Sequence, residues 1–365
     1  MNKVQLRIPG PTPCPEQVLG AMGKQMINHR GKQFGEFIHQ VTDNLKGVFQ
    51  TKGDVFILTS SGTGGMEAAV VNTLSPGDKV LAISNGFFGE RFGEIAQMFG
   101  VEVDWLRFDW GKAADPQEVR DALKNNNLIK AVLVTHNETS TGVTSDLASI
   151  SAIVKEFDKL ILVDAISSLG SIDLPVDTWQ CDVVVTASQK GWMTPPGLAM
   201  VSMSQKAWQA HAQARLPRYY WDFSKAKSFL DIGQTPWTPA LSTLYALTVA
   251  LELMKQEGLP NIFARHAKVA KAARQRVKSL DLSIFPDEEF ASNTVTAIKA
   301  PDAVEVSQLL QILREECGVT LSGGQQRLAG KIFRIGHLGW VSEADIDEVI
   351  AALRVTLPRV GHKVP

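Results

Sequence analysis

The stretches LILVDA (160–165) and VVVTASQKG (183–191) decide how this chain folds. Each opens as an unbroken apolar run, as a strand buried on both faces does, and each ends on polar groups. Working outward, similar runs predict strands at 55–59, 79–83, 101–108, 130–135, 160–164, 182–187 and 198–202. Helix-like stretches at 65–74, 89–99, 116–125 and 148–157 lie between them. Strand and helix alternating in this way make an α/β fold, a mostly parallel sheet of seven strands covered on both sides. The run 101–108 instead alternates, with Val103 and Trp105 against Glu102 and Asp104, which suits a strand with one face nearer water. The last three strands are joined by turns, so an antiparallel edge strand is expected near Leu198. Residues 207–239 have no clear period, and long helices follow at 240–256 and 261–280. Beyond them the pattern is a smaller α+β unit, with strands at 282–285, 293–299 and 332–336 and helices at 304–317 and 343–356. The expected division is a large domain over 16–250 and a small C-terminal domain over 251–365, with 1–15 packing near the functional site.

Composition narrows the function. The chain has 365 residues, and 37 Lys and Arg stand against 38 Asp and Glu for a net charge of −1. That total has no basic excess of the kind nucleic-acid binders show. Hydrophobic residues are 44% of the chain, enough for a sizeable core and too many for disorder. The three cysteines, Cys14, Cys181 and Cys317, are far apart, which argues against a disulfide framework, leaves no CxxC metal site and fits a reducing compartment. The opening MNKVQLRIPGPTPCPEQ lacks the apolar core of a signal peptide, and no apolar run is long enough to cross a bilayer. These features predict a soluble cytoplasmic protein that holds no metal and partners neither nucleic acid nor membrane.

The polar ends of the strands carry the chemistry. In open α/β sheets ligands bind at the carboxyl ends of the strands, where Asp164 and Lys190 fall. A desolvated Asp there needs a cationic partner, and a desolvated Lys becomes a usable amine nucleophile. Asp164 could equally cap a helix, and Lys190 could be a solvated loop lysine. The run TSSGTGGMEAA (59–69) follows a strand and opens a helix, so its free N–H groups and hydroxyls can bind phosphate or simply cap that helix. THNETSTG (135–142) adds hydroxyls at another strand end, or forms a plain turn. Arg334, inside the apolar run of FRIGH (333–337), is either a carboxylate-gripping fork or a surface arginine on an edge strand. Phe88 could stack on a flat ring or belong to the core.

Taken together, PGPTPCPEQV, NHRGKQF, SSGTGGMEAAVVN, SNGFFGER, THNETSTG, LVDAISSLG, TASQKGWMTPPG, TPWTPALSTLYAL and FRIGHLG resemble the class V (fold type I) pyridoxal-phosphate aminotransferases. The likeness covers nearly the whole chain and is nearest to the alanine–glyoxylate and serine–glyoxylate group. It implies pyridoxal 5'-phosphate as cofactor, Lys190 as the Schiff-base lysine and Asp164 as the partner of the ring nitrogen. By the same resemblance Ile166 and Phe88 pack on the ring faces, and Thr139 hydrogen-bonds the ring 3-oxygen. Ser61, Gly62, Thr63 and Gln189 form the phosphate cup, and Thr235 and Thr238 reach the phosphate of a neighbouring subunit. Arg334 grips the substrate carboxylate. The implied activity moves an amino group from alanine or serine to a 2-oxo acid such as glyoxylate, in a homodimer with its active site at the subunit interface. Alternatives on the same scaffold are a phosphonate or phosphoserine transaminase, a cysteine desulfurase-like lyase, and a non-catalytic subunit that keeps the fold. The chain departs from some relatives in having Thr63 where they have a histidine and no Tyr near Thr235.

Overall fold

A computed structural model describes residues 5–365, so the first four residues of the N-terminal segment lie outside the described residues. The central sheet has seven strands: β1 (Asp54–Ser60), β2 (Lys79–Ser84), β3 (Glu102–Arg107), β4 (Ile129–Thr135), β5 (Leu160–Asp164), β6 (Val183–Ala187) and β7 (Gly197–Met203). Their spatial order is β1-β7-β6-β5-β4-β2-β3. β7 is antiparallel to both of its neighbours, and the remaining pairings are parallel. The antiparallel strand near Leu198 is therefore present, but it is not at the edge. All of β7 after Gly197 is buried, so both of its hydrogen-bonding sides need a partner, and β1 takes the outer place. The opposite edge is β3, whose side chains are half-buried or exposed, as its alternating sequence predicts.

Helices cover both faces of the sheet. Lys32–Phe49, Pro116–Asn125, Leu147–Glu156 and Leu241–Glu257 enclose one apolar cluster, and Gly62–Thr73, Phe87–Met98 and Gln205–Gln213 enclose the other. The stretch 207–239, which has no readable period, contains the end of Gln205–Gln213 and the helix Phe223–Asp231. Both helices are amphipathic over about two and a half turns, too short for a period to stand out among Trp208, Trp221 and Pro217. After the long helix Leu259–Lys278 come β8 (Val295–Lys299), β9 (Ser322–Gly323) and β10 (Ile332–Gly336), an antiparallel sheet with β10 in the middle. Helices Val306–Glu316 and Glu343–Thr356 pack on it around Phe333, Ile335 and Leu353. The strand expected at 282–285 is reduced to one bridge, Ile284 to Ile298, because Pro286 ends the extended run. No helix is long and apolar enough to cross a membrane among the described residues.

The chain runs outward from β2 to β3, returns to place β4 against the other side of β2, and continues through β5 to β6. The order thus reverses between β2 and β4, which opens a crevice at their carboxyl ends. Helix Gly62–Thr73 lies close against β6 and β7: a Cβ on Gly65 would sit 2.7 Å from Val185 Cγ1 and 3.1 Å from Ala199 Cβ. Gly65→Ala should therefore destabilise the protein by roughly 1–3 kcal/mol despite alanine's better helix propensity, read as a lower urea midpoint at unchanged m-value.

Candidate active site

The parallel register aligns Thr135 with Asp164 and Asp164 with Val185, so the loops after β4, β5 and β6 emerge side by side. With the start of helix Gly62–Thr73 and Phe88 they enclose a cavity of about 130 Å³. Ser61, Gly62, Thr63, Phe88, Thr139, Asp164, Ile166, Gln189 and Lys190, all singled out in the sequence, line it together. Arg334 stands behind this wall and reaches it through Thr139, donating from Nη1 to Thr139 O at 3.0 Å. Thr235 and Thr238 are not brought there. Thr235 lines a separate apolar cavity with Tyr220 and Trp237, and Thr238 is exposed.

Asp164 is only 3% exposed, and its Oδ1 accepts a hydrogen bond from Ile166 N at 2.9 Å. The capping alternative is thus partly realised, as a tight turn that also sets Ile166 against the cavity. No cationic side chain pairs with Asp164 among the described residues. Burial pushes its carboxyl up to about 7, against the milder pull of the Lys190 and Arg91 charges. Lys190 is no solvated loop residue. Its Nζ donates to Pro9 O, and burial lowers its ammonium to about 8 although Asp164 favours the charged form. The segment that supplies Pro9 is tied to the smaller sheet, where Gly336 N donates to Arg7 O at 2.7 Å and Arg7 pairs with Asp345. It is also tied to the lysine loop, where Thr12 Oγ1 donates to Lys190 O at 3.1 Å.

The opposite wall is the helix start. Ser61 occupies the N-cap position without any capping hydrogen bond from its side chain, so the first N–H groups of the helix are left free. Gly62 packs closely there, since a Cβ would lie 2.4 Å from Ile166 Cδ1 and push that side chain aside. Gln189 Oε1 is buried with no hydrogen-bond partner among the described residues. Arg334, on the central strand of its sheet, is 5% exposed, not an edge-strand surface residue. Its donors meet only neutral acceptors, Gly323 O, Thr139 O and Gln325 Oε1. Burial lowers its guanidinium to about 10, with the Glu138 charge opposing.

Other residues belong to the site without having been singled out. Arg91, Met66, Asn137 and Ser167 also line the cavity. Ser167 Oγ accepts from Thr139 Oγ1 at 2.8 Å and from Asn137 Nδ2 at 2.7 Å. Glu138 lies beneath, fully buried, with Oε2 accepting from Phe88 N and Gly89 N at 3.0 Å and Oε1 from Ser140 N at 3.0 Å. Burial raises its carboxyl from the usual range, and these hydrogen bonds hold it down. Asn137 and Glu138 were visible in the polar run after β4. Arg91 sits in a helical pattern where a charged residue reads as solvated.

Two outcomes test these electrostatics. A carboxyl raised in the folded state adds stability that is complete below about pH 4 and is lost as pH rises through about 7. Asp164→Asn should therefore stabilise the cofactor-free protein above pH 7, on the order of a few kcal/mol, with the gain disappearing below about pH 4. Thermal unfolding across pH measures this. Labelling of Lys190 by an amine-reactive reagent, followed by peptide mass spectrometry, should rise about a midpoint near pH 8 rather than with the surface lysines.

Residues 5–344 match the family model described as aminotransferase class-V. The chain is 46% identical to the soluble hydrogenase 42 kDa subunit of Anabaena cylindrica, covering 99% of this chain and 95% of that one. It is 38% identical to the serine–glyoxylate aminotransferase of Methylorubrum extorquens, over 98% of this chain and 92% of the relative. The crystal structure of the alanine–glyoxylate aminotransferase of Nostoc sp. superposes with a TM-score of 0.94 at 30% identity, covering 98% of this chain and 96% of that one. The fold, the crevice and these likenesses agree: the chain belongs to the class-V aminotransferases, the family whose cofactor is pyridoxal phosphate.

Proposed function

We propose that this protein is a transaminase that moves the amino group of a small amino acid, alanine or serine, to a 2-oxo acid such as glyoxylate. The observation that carries this reading is the sharing of one cavity by the Lys190 amine and the Asp164 carboxylate, each partnered by backbone and not by the other. The residues present fit pyridoxal phosphate. Uncapped N–H groups at the start of helix Gly62–Thr73 and the hydroxyls of Ser61 and Thr63 offer donors at one end, and a carboxylate without a counter-ion lies within the cavity. Ser61, Gly62, Thr63 and Gln189 would hold the phosphate, Phe88 and Ile166 the ring faces, and Thr139 the ring oxygen.

When bound, the cofactor supplies an electron sink for the pair left at the amino acid's Cα once its proton departs. The chain's own residues do the rest. Arg334, with no carboxylate of its own, binds the substrate carboxylate and fixes the orientation of Cα. The Lys190 amine, neutral for a substantial fraction of the time near pH 8, accepts the Cα proton and returns it to the product side. Asp164 would hold the cofactor's ring nitrogen, a cationic partner beside which its carboxylate would keep its negative charge. One site serves both amino acid and oxo acid, so the two half-reactions alternate.

The division at 16–250 and 251–365, a homodimer in which Thr235 and Thr238 serve the other protomer's phosphate, and a cytoplasmic setting belong to this proposal. Free Cys14, Cys181 and Cys317 support the setting. None of these cysteines lines the cavity, which weighs against a desulfurase-like lyase. Retention of both Lys190 and Asp164 weighs against a non-catalytic subunit, although two relatives are named as hydrogenase subunits.

Purified protein supplied with pyridoxal phosphate should convert alanine or serine plus glyoxylate to glycine and the matching oxo acid, with parallel double-reciprocal lines. Lys190→Ala should abolish turnover. Arg334→Ala should raise ΔΔG‡ for carboxylate substrates by roughly 2–5 kcal/mol, seen in kcat/KM. Intersecting lines, or sulfide release from cysteine in place of amino transfer, would refute the proposal.

A further inference from the structure

Arg91 is a cation without a counter-ion at the edge of the cavity. It lies in the first part of helix Phe87–Met98, half-buried, with its guanidinium 4.6 Å from the Phe87 ring centroid and 5.0 Å from that of Phe88. Its Nη1 donates to Thr63 Oγ1 across 3.5 Å, a long contact with the helix start. No carboxylate pairs with it among the described residues, whereas the adjacent Glu90 is taken by Arg327 at 2.9 Å. The aromatic rings hold the guanidinium in place without neutralising it.

The other side of the contact is an anion site that lacks charge. The start of helix Gly62–Thr73 presents free N–H groups and the hydroxyls of Ser61 and Thr63, and Gln189 adds an amide. All of these are neutral. A doubly charged group there would have only the helix dipole to balance it, worth about half an elementary charge. The neighbouring cations do not touch the helix start: Lys190 Nζ donates to Pro9 O, and Arg334 to Thr139 O and Gln325 Oε1. Among the described residues, Arg91 alone combines a free charge with contact to the helix start.

We propose that Arg91 is a binding residue for the cofactor's phosphate, supplying the ionic contact that Ser61, Gly62, Thr63 and Gln189 cannot. The inference rests on the reading above that this cavity takes pyridoxal phosphate. It also gives a physical account of Thr63: a short neutral side chain at that position leaves room for a guanidinium from the neighbouring helix. A planar fork can hold two phosphate oxygens at once, which a lysine at the same place cannot do.

The test compares pyridoxal phosphate with pyridoxal, which has the same ring and aldehyde but no phosphate. Cofactor-free wild type, Arg91→Gln and Arg91→Lys are titrated with each compound by quenching of tryptophan fluorescence, with inorganic phosphate as competitor. Arg91→Gln should weaken pyridoxal phosphate by about tenfold or more and leave pyridoxal within about twofold. Arg91→Lys should fall between, and inorganic phosphate should compete less well in Arg91→Gln. Equal loss for both compounds, or loss for neither, overturns the assignment. So does unchanged affinity for pyridoxal phosphate with a raised KM for a dicarboxylic amino donor, which would give Arg91 to the substrate. Wild type that takes up neither compound would sink the cofactor reading itself, an outcome distinct from an Arg91 variant that behaves as wild type.

Discussion

Two groups of opposite charge share a desolvated cavity without forming an ion pair, and the rest of the architecture serves to keep them that way. Water solvates neither fully, so each is pushed towards its neutral form, the carboxyl of Asp164 to about 7 and the amine of Lys190 to about 8. Direct pairing would relieve both but would use up the carboxylate and the amine together. Separate backbone partners prevent it. Ile166 N holds one oxygen of Asp164, and Pro9 O draws the lysine towards the N-terminal segment. A ligand that brings its own cation to Asp164 and its own electrophile to Lys190 finds both groups already in place, with little reorganisation left to oppose binding.

Glu138, at the point where the strand order reverses, ties two walls of that cavity together. Its carboxylate closes the start of helix Phe87–Met98 through Phe88 N and Gly89 N and ties the next loop through Ser140. Phe88 on one side of the cavity and Thr139 on the other are thereby fixed to a single buried side chain. Thr139 O in turn receives Arg334 from the smaller sheet. The segment Gln5–Thr12 makes a second crossing, from Val319 and Asp345 to Lys190. Both connections end on groups of the same cavity.

Much of this is legible in one dimension. The apolar runs at 160–164 and 183–187 are buried on every residue, as their unbroken hydrophobicity requires. Asp164 and Lys190 stand out because a charge at or just past the end of such a run falls on the rim of the sheet. Arg91 does not stand out. On a helix, Glu90 and Arg91 read as a solvated pair of charges, yet one bonds Arg327 outside and the other turns to Thr63 inside. The helices within 205–231 are hidden because they bury aromatic residues over lengths too short for a period to register.

Local sequence by itself determined the kind of element, the run of buried strands and the chemical character of their ends, because these follow from side-chain periodicity and from the cost of burying charge. Only the tertiary structure decided the order of the strands. Pairing partners are chosen by contacts far apart in the chain, and so β7 lies inside the sheet, shielded by β1. The same long-range pairing decided which polar side chains converge. Asn137, Ser167, Arg91 and Gln189 come from four separate loops or helix starts, and nothing in their spacing along the chain records that they face one cavity.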